Sequence, residues 1–281
     1  MIERQVALVT GASSGIGRET ALGLARMGYE VIAAARRLER LEELAVRQPG
    51  IVPRRVDLAE PGQVEEFAAW LVERAQPVAV LVNNAGYALR GAVEEVPPAD
   101  ARRLYEVNLF APIRLIQACL PGMRRLGHGR IVNLSSLSGR VVLPGNATYS
   151  SSKFALEGYS EGLRLELLET GIKVVVVRPG PVDTEFVAVA TAMTGERMQQ
   201  PRPEYQKVYQ RLAALLLDLF AGQGSNTPGE VAEVILEAVS ASDPAPSYAV
   251  GPIAAEFLAL RDRLDDAQLL EHFRRVMGIS D

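Results

Sequence analysis

The stretch Val6-Ala7-Leu8-Val9-Thr10-Gly11-Ala12-Ser13-Ser14-Gly15-Ile16-Gly17 decides the architecture of this 281-residue chain. A β-branched, wholly apolar run leads straight into a glycine-rich turn, and a helical pattern, Arg18–Met27, follows the turn. Apolar side chains at every position suit a strand covered on both faces, as in a parallel sheet. A strand–turn–helix unit of this kind also makes an anion site, because unpaired backbone N–H groups and the positive end of the helix dipole face the turn. Gly11 permits the tight turn, Gly15 lets a pyrophosphate approach the backbone, and Gly17 lets the helix pack closely on the strand. Ser13, Ser14 and Ile16 complete the cradle. The spacing is G-x-x-x-G-x-G, and no Lys-Ser/Thr follows as in a P-loop, which points away from nucleotide hydrolysis and toward a dinucleotide.

Further along, the same alternation repeats. Short apolar runs at Val31–Ala35, Val52–Val56, Val78–Val82, Arg130–Leu134 and Lys173–Val177 are separated by helical patterns at Arg37–Val46, Val64–Ala75, Ala99–Arg125 and Ala147–Leu168. This rhythm predicts an α/β fold: a doubly wound parallel sheet of Rossmann type in one domain, with helices on both faces. Six or seven such units are too few for an eight-fold barrel. After Arg178 the rhythm breaks. Residues 185–227 hold two helical segments, near Phe186–Met198 and Glu204–Phe220, and read as an apolar substrate lid. A helix at Gly229–Val239, a last strand at Tyr248–Val250 and an amphipathic helical tail at Ile253–Met277 complete the chain. Residues 1–281 thus form one unit: a cofactor and catalytic core over 1–184, the lid, and the closing segment 228–281.

Composition narrows the function. A net charge of −4 and a pI near 5.5 argue against nucleic acid as a partner, since phosphate contacts need a basic surface. One cysteine and two histidines leave little material for a metal centre. The absence of a signal-peptide core or a run of about 20 apolar residues predicts a cytoplasmic protein without a membrane span.

The end of the second strand bears on the choice of dinucleotide. NAD sites usually place a carboxylate there for the ribose 2′-hydroxyl, but here Ala35 is followed by Arg36 and Arg37. Guanidinium groups pair with a 2′-phosphate, which favours NADP(H) over NAD(H).

Tyr149 and Lys153 lie four residues apart at a helix start, so their side chains share one face. A tyrosine that exchanges protons near neutral pH needs its pKa of about 10 lowered by two to three units, roughly 3–4 kcal/mol. One ammonium about 5 Å away at an effective dielectric near 20 supplies roughly 3 kcal/mol. The pair alone is common on helices; its companions give it meaning. Ser136 follows the strand Arg130–Leu134, with Ser135 and Ser138 close enough in sequence to serve instead. Asn83-Asn84-Ala85-Gly86 closes another strand, Asn108 interrupts a helix, and Pro179-Gly180-Pro181-Val182-Asp183-Thr184 follows the sixth strand.

Together, TGASSGIG, NNAG, Asn108, Ser136, YSSSK and PGPVDT resemble the short-chain dehydrogenase/reductase family in order and spacing, from Val6 to Thr184. The resemblance implies a hydride-transferring oxidoreductase in which Tyr149 exchanges the proton, Ser136 polarises the substrate oxygen, Lys153 tunes Tyr149 and holds the nicotinamide ribose, and Asn108 supports a proton-relaying water. It further implies that Asp57 and Leu58 meet the adenine, that Asn83, Ala85 and Gly86 line the cofactor groove, and that Pro179, Gly180, Val182 and Thr184 hold the nicotinamide end. A homodimer or homotetramer is the family's usual assembly. The expected partner is a small-molecule carbonyl compound or secondary alcohol, and the apolar lid points to a lipophilic one. A 3-oxoacyl thioester reductase and a broad aldehyde/ketone reductase are the alternatives within the class. A non-catalytic NADP-binding sensor is the alternative outside it, and such proteins usually lack the tyrosine or lysine present here.

Overall fold

Seven parallel strands lie in the order β3-β2-β1-β4-β5-β6-β7 in the computed structural model of the chain. It describes residues 4–186, 190, 201–220 and 225–279, with the backbone alone for 215–220. The strands are β1 Val6–Thr10, β2 Glu30–Ala35, β3 Ile51–Arg55, β4 Val78–Asn83, β5 Gly129–Leu134, β6 Ile172–Pro179 and β7 Ser247–Val250. Chain order reverses between β1 and β4, so the crevice that such a sheet offers a ligand opens beside the glycine turn at the carboxyl ends of these strands. Pro53 sits in β3, an edge strand, where its missing N–H costs no ladder bond on the open side.

Two apolar layers clamp the sheet, as the uninterrupted apolar runs require. On one face α1 (Gly15–Arg26) and α2 (Leu38–Arg47) bury Leu24, Leu41 and Leu44 against Val9, Val31 and Val80. On the other, α3 (Pro61–Glu73), α5 (Ala111–Leu126) and α6 (Ala147–Glu166) bury Phe67, Leu115, Ile116 and Leu163 against Leu8, Leu81 and Ile131. The helix expected over Ala99–Arg125 is two helices, α4 (Pro98–Tyr105) and α5, joined by a single π-helical turn at Glu106–Phe110. Asn108 sits in that turn, where the wider winding displaces it from the regular helical face.

Beyond β6, α7 (Pro203–Phe220) realises the second helix expected of the lid, whereas the first, near 186–198, falls mostly outside the described residues. α8 (Pro228–Ser240) is opened by a reciprocal cap between Thr227 and Glu230. The helical tail expected at Ile253–Met277 is made of two helices, α9 (Pro252–Arg263) and α10 (Asp266–Val276). The Asp265 carboxylate accepts the Gln268 N–H at 2.8 Å and starts the second helix at that point. No helix among the described residues is long and apolar enough to cross a membrane.

Candidate active site

A cleft of about 880 Å³ runs across the carboxyl ends of the strands. Its floor at one end is the glycine turn. Gly11 has φ +68° and Gly15 φ +53°, backbone that side-chain-bearing residues rarely adopt. A Cβ on Gly11 would stand 2.8 Å from the Asn84 amide nitrogen, and one on Gly17 would stand 2.5 Å from the Gly11 carbonyl oxygen. Gly17 therefore serves packing, and it does not line the cleft.

The turn is tied to β4 by Thr10 and Asn84. The Thr10 hydroxyl accepts from the N–H groups of Asn84 and Ala85, both at 3.0 Å, and the Asn84 amide donates to the Thr10 carbonyl at 2.8 Å. This corrects one sequence expectation. Asn83 does not line the cleft: its side chain is buried between sheet and helix, donating at 2.9 Å to Asn133, which donates in turn to Ser160 at 2.8 Å. Neighbouring residues at a strand end point to opposite faces, so only one of two consecutive asparagines can face the groove. Asn83 pairs with Asn133 in the β4–β5 register, and two matched asparagines on adjacent strands were the signal that could have told them apart.

Ala85 and Gly86 line the cleft as expected. A Cβ on Gly86 would come within 3.2 Å of the Asn108 Oδ1 and 3.4 Å of the Lys153 ammonium. Asn108 itself lies behind the wall. It brackets the Tyr87 backbone, accepting its N–H at 3.2 Å and donating to its carbonyl at 3.0 Å, and it also donates to the Ser152 hydroxyl at 3.0 Å. Tyr87 was missed in the sequence. It lines the cleft, its hydroxyl is buried with no partner among the described residues, and burial pushes its pKa up to about 12. An orphaned buried hydroxyl on a groove wall is a hydrogen-bonding position that a ligand can satisfy.

At the centre, Ser136, Tyr149 and Lys153 converge. Of the three neighbouring serines, Ser136 is the one whose hydroxyl acts on the Tyr149 phenol, lowering its pKa; it also accepts the Ser138 N–H at 3.1 Å, which fixes the short turn Leu137–Gly139. Lys153 is buried, donates to the Leu134 carbonyl at 2.8 Å, and its Nζ stands 6.0 Å from the Tyr149 ring centre. Burial lowers the Lys153 pKa to about 8, opposed by the Glu157 carboxylate one helical turn along. Burial likewise lifts Tyr149 to about 12, and the Ser136 bond and the Arg90 charge only partly oppose it. Burial thus acts against the charged form of both groups, so the ammonium that would tune the phenol is itself easily lost. Glu157 is anchored by a bidentate pair with Arg178, at 2.9 and 2.7 Å, and Arg178 also bonds Ser247 at 2.9 Å. Neither residue was singled out in the sequence, although Glu157 lies four positions beyond Lys153.

At the end of the cleft beside β2 stand Arg36, Arg37, Asp57 and Leu58. Asp57 accepts the Ala59 N–H at 3.0 Å and lies 3.6 Å from Arg103, a second cleft residue that the sequence did not mark. Arg37 reaches back to the turn, with Nη2 2.8 Å from the Ser14 hydroxyl, and Nη1 donates to Glu185 at 2.8 Å. Pro179, Gly180, Val182 and Thr184 line the opposite wall, with Phe186 and Leu212 beyond them. The Phe186 ring meets the Tyr149 ring edge-on at 6.0 Å.

Residues 5–195 match the family model described as short chain dehydrogenase. The chain is 33% identical over 266 residues to the bovine (Bos taurus) dehydrogenase/reductase SDR family member 7B, covering 89% of this chain and 77% of that one. A short-chain dehydrogenase from Streptomyces avermitilis superposes with a TM-score of 0.81 at 33% identity, over 100% of both chains. An actinorhodin polyketide ketoreductase variant solved with NADPH superposes with a TM-score of 0.72 at 33% identity, over 88% of this chain and 96% of that one. The chain belongs to the short-chain dehydrogenase family, oxidoreductases that interconvert CH–OH and C=O groups.

Proposed function

We propose that the protein is an NADP(H)-dependent oxidoreductase acting on a ketone or secondary alcohol with an apolar body, with Tyr149 as the proton donor and acceptor. The convergence of Ser136 and Lys153 on a buried tyrosine at the cleft floor carries this reading. The groove fits a dinucleotide: Gly11 and Gly15 shape the turn with backbone that glycine adopts readily, and the Tyr87 hydroxyl, buried on the groove wall, has no partner among the described residues. Gly11, Ser13, Ser14, Gly15 and Ile16 would hold its diphosphate, Arg36 and Arg37 a 2′-phosphate, and Asp57 with Leu58 the adenine. Ala85, Gly86, Lys153, Pro179, Gly180, Val182 and Thr184 would hold the nicotinamide half. The arginines after β2 support NADP, as does the ketoreductase neighbour solved with NADPH. When bound, the nicotinamide supplies or takes the hydride.

The chain's own groups handle the proton and the oxygen. In reduction, Tyr149 donates its phenolic proton to the carbonyl oxygen as negative charge builds there, while the Ser136 hydroxyl donates a second hydrogen bond to that oxygen. In oxidation the phenolate takes the hydroxyl proton back, and the Lys153 charge stabilises it. Asn108 fixes Tyr87 and Ser152 around this centre and is placed to support a proton path from Lys153. Phe186 and Leu212, from residues 185–227, both line the cleft, which supports reading that stretch as its apolar cover. Exposed Phe110 and Phe154, with open space at Gly158 and Gly162, support assembly through α5 and α6 into a dimer or tetramer.

Tyr149→Phe tests the reading. Cofactor binding should persist while NADPH turnover over a panel of apolar ketones falls by roughly three orders of magnitude or more. Near-normal turnover in that variant would remove Tyr149 from the mechanism.

A further inference from the structure

The residue that follows Thr184 places a carboxylate at the adenosine end of the groove. Thr184 packs against the phosphate turn, its Cγ2 3.2 Å from where a Cβ on Gly15 would stand. From the next position Glu185 reaches past the turn to the arginines beyond β2. One carboxylate oxygen accepts from Arg37 Nη1 at 2.8 Å, and the other accepts from Arg40 Nη1 at 2.8 Å. The same Arg37 holds the turn through Ser13, at 3.3 and 3.2 Å, and through Ser14 at 2.8 Å. The carboxylate thus offers two oxygens to two guanidinium groups beside the phosphate turn, which is the pattern a phosphate monoester also presents. The two arginines hold the Glu185 carboxyl down at about 2, so the negative charge persists throughout the working pH range.

We propose that Glu185 is a specificity-determining residue: an internal anion that occupies Arg37 and Arg40 until the 2′-phosphate of the cofactor displaces it. This rests on the reading that the arginines after β2 receive that phosphate. The side chains of Arg37, Arg40 and Glu185 are each nearly half exposed, at 42%, 44% and 46%. Ion pairs so exposed are weak, and a phosphate dianion can break them. A 2′-hydroxyl carries no charge and gains nothing from the exchange. Binding a 2′-phosphorylated cofactor therefore bears a cost that binding its hydroxyl counterpart does not. Glu185 narrows the preference that the arginines would otherwise give.

The experiment measures dissociation constants of NADP+ and NAD+ by calorimetry for the wild-type chain, Glu185→Gln and Arg37→Ala. Glu185→Gln should tighten NADP+ by about three- to tenfold, the effect of releasing two exposed ion pairs, and leave NAD+ within about twofold. Arg37→Ala should weaken NADP+ by about tenfold or more, since a charge-assisted phosphate bond is lost. Unchanged NADP+ affinity in Glu185→Gln, alongside a wild-type preference for NADP+ that Arg37→Ala destroys, overturns the role of Glu185 and leaves the cofactor reading standing. Equal affinities for the two dinucleotides in all three proteins overturn both. Equal tightening of both by Glu185→Gln also overturns the proposal, because it would mark a general change in the charge of the groove.

Discussion

Replacing Lys153 with methionine separates what burial does to Tyr149 from what charge does. The phenol is lifted to about 12 by its surroundings, two units above the ordinary 10. That shift corresponds to about 3 kcal/mol against the phenolate. The ammonium 6.0 Å from the ring centre returns roughly 3 kcal/mol at an effective dielectric near 20, or about two pKa units. Charge and burial are thus of similar size and opposite sign; with Lys153 in place the phenol still stands at about 12, so the positive charge of an oxidised nicotinamide must bring it lower. Lys153→Met should therefore move the rising limb of the pH–rate profile for alcohol oxidation up by about two units. Turnover at neutral pH should fall by about 100-fold, measured by nicotinamide absorbance at saturating cofactor so that weakened binding does not enter. A limb that stays within about half a unit refutes the electrostatic role. The same variant gives an independent readout. Lys153 in the fold has its pKa lowered from 10.5 to about 8, so between these values the folded state binds fewer protons than the unfolded one, and stability on its account rises with pH. Below pH 8 the burial cost is carried in full. Cofactor-free Lys153→Met should thus melt higher than wild type at pH 7, by a few degrees, and the difference should shrink toward pH 10.

Three further changes probe the surroundings. Ser136→Ala removes one of two donors to the substrate oxygen and should lower kcat by about 10²- to 10³-fold while cofactor affinity, read by calorimetry, stays put. Glu157→Gln leaves the mostly buried Arg178 guanidinium without its counter-charge and should cost about 2–3 kcal/mol in denaturant unfolding, part of it recovered when Arg178→Met is added. With the Glu157 charge gone, Lys153 should also lose its proton at a lower pH, so the alkaline fall in activity should begin earlier. Gly17→Ala drives a methyl into the Gly11 carbonyl, 2.5 Å away, and into the Asn84 amide; a loss of about 2 kcal/mol or more and weakened dinucleotide binding should follow, and an unchanged melting temperature would show that the turn is free to shift.

Much of this protein was legible in the chain itself. Wholly apolar β-branched strands alternating with amphipathic helices admit few architectures, so the parallel sheet, the glycine turn and the position of the cleft followed from periodicity and from the conformations that only glycine adopts readily. The helix spacing of Tyr149 and Lys153 is equally local, and it held. What tertiary structure decided was everything that depends on which side chain faces which across the sheet. Sequence placed Asn83 and Asn84 side by side, but only the β4–β5 pairing turns the first toward Asn133 and leaves the second to clamp the glycine turn. Sequence supplied three serines, and the turn after β5 chose Ser136. The Arg178–Glu157 pair spans 21 residues and the Arg37–Glu185 pair 148, separations for which no local pattern exists. The balance between burial and charge at Tyr149 could not be read from a tyrosine and a lysine four residues apart either. It depends on how much water the fold removes from both groups, and that is a property of the packed cleft alone.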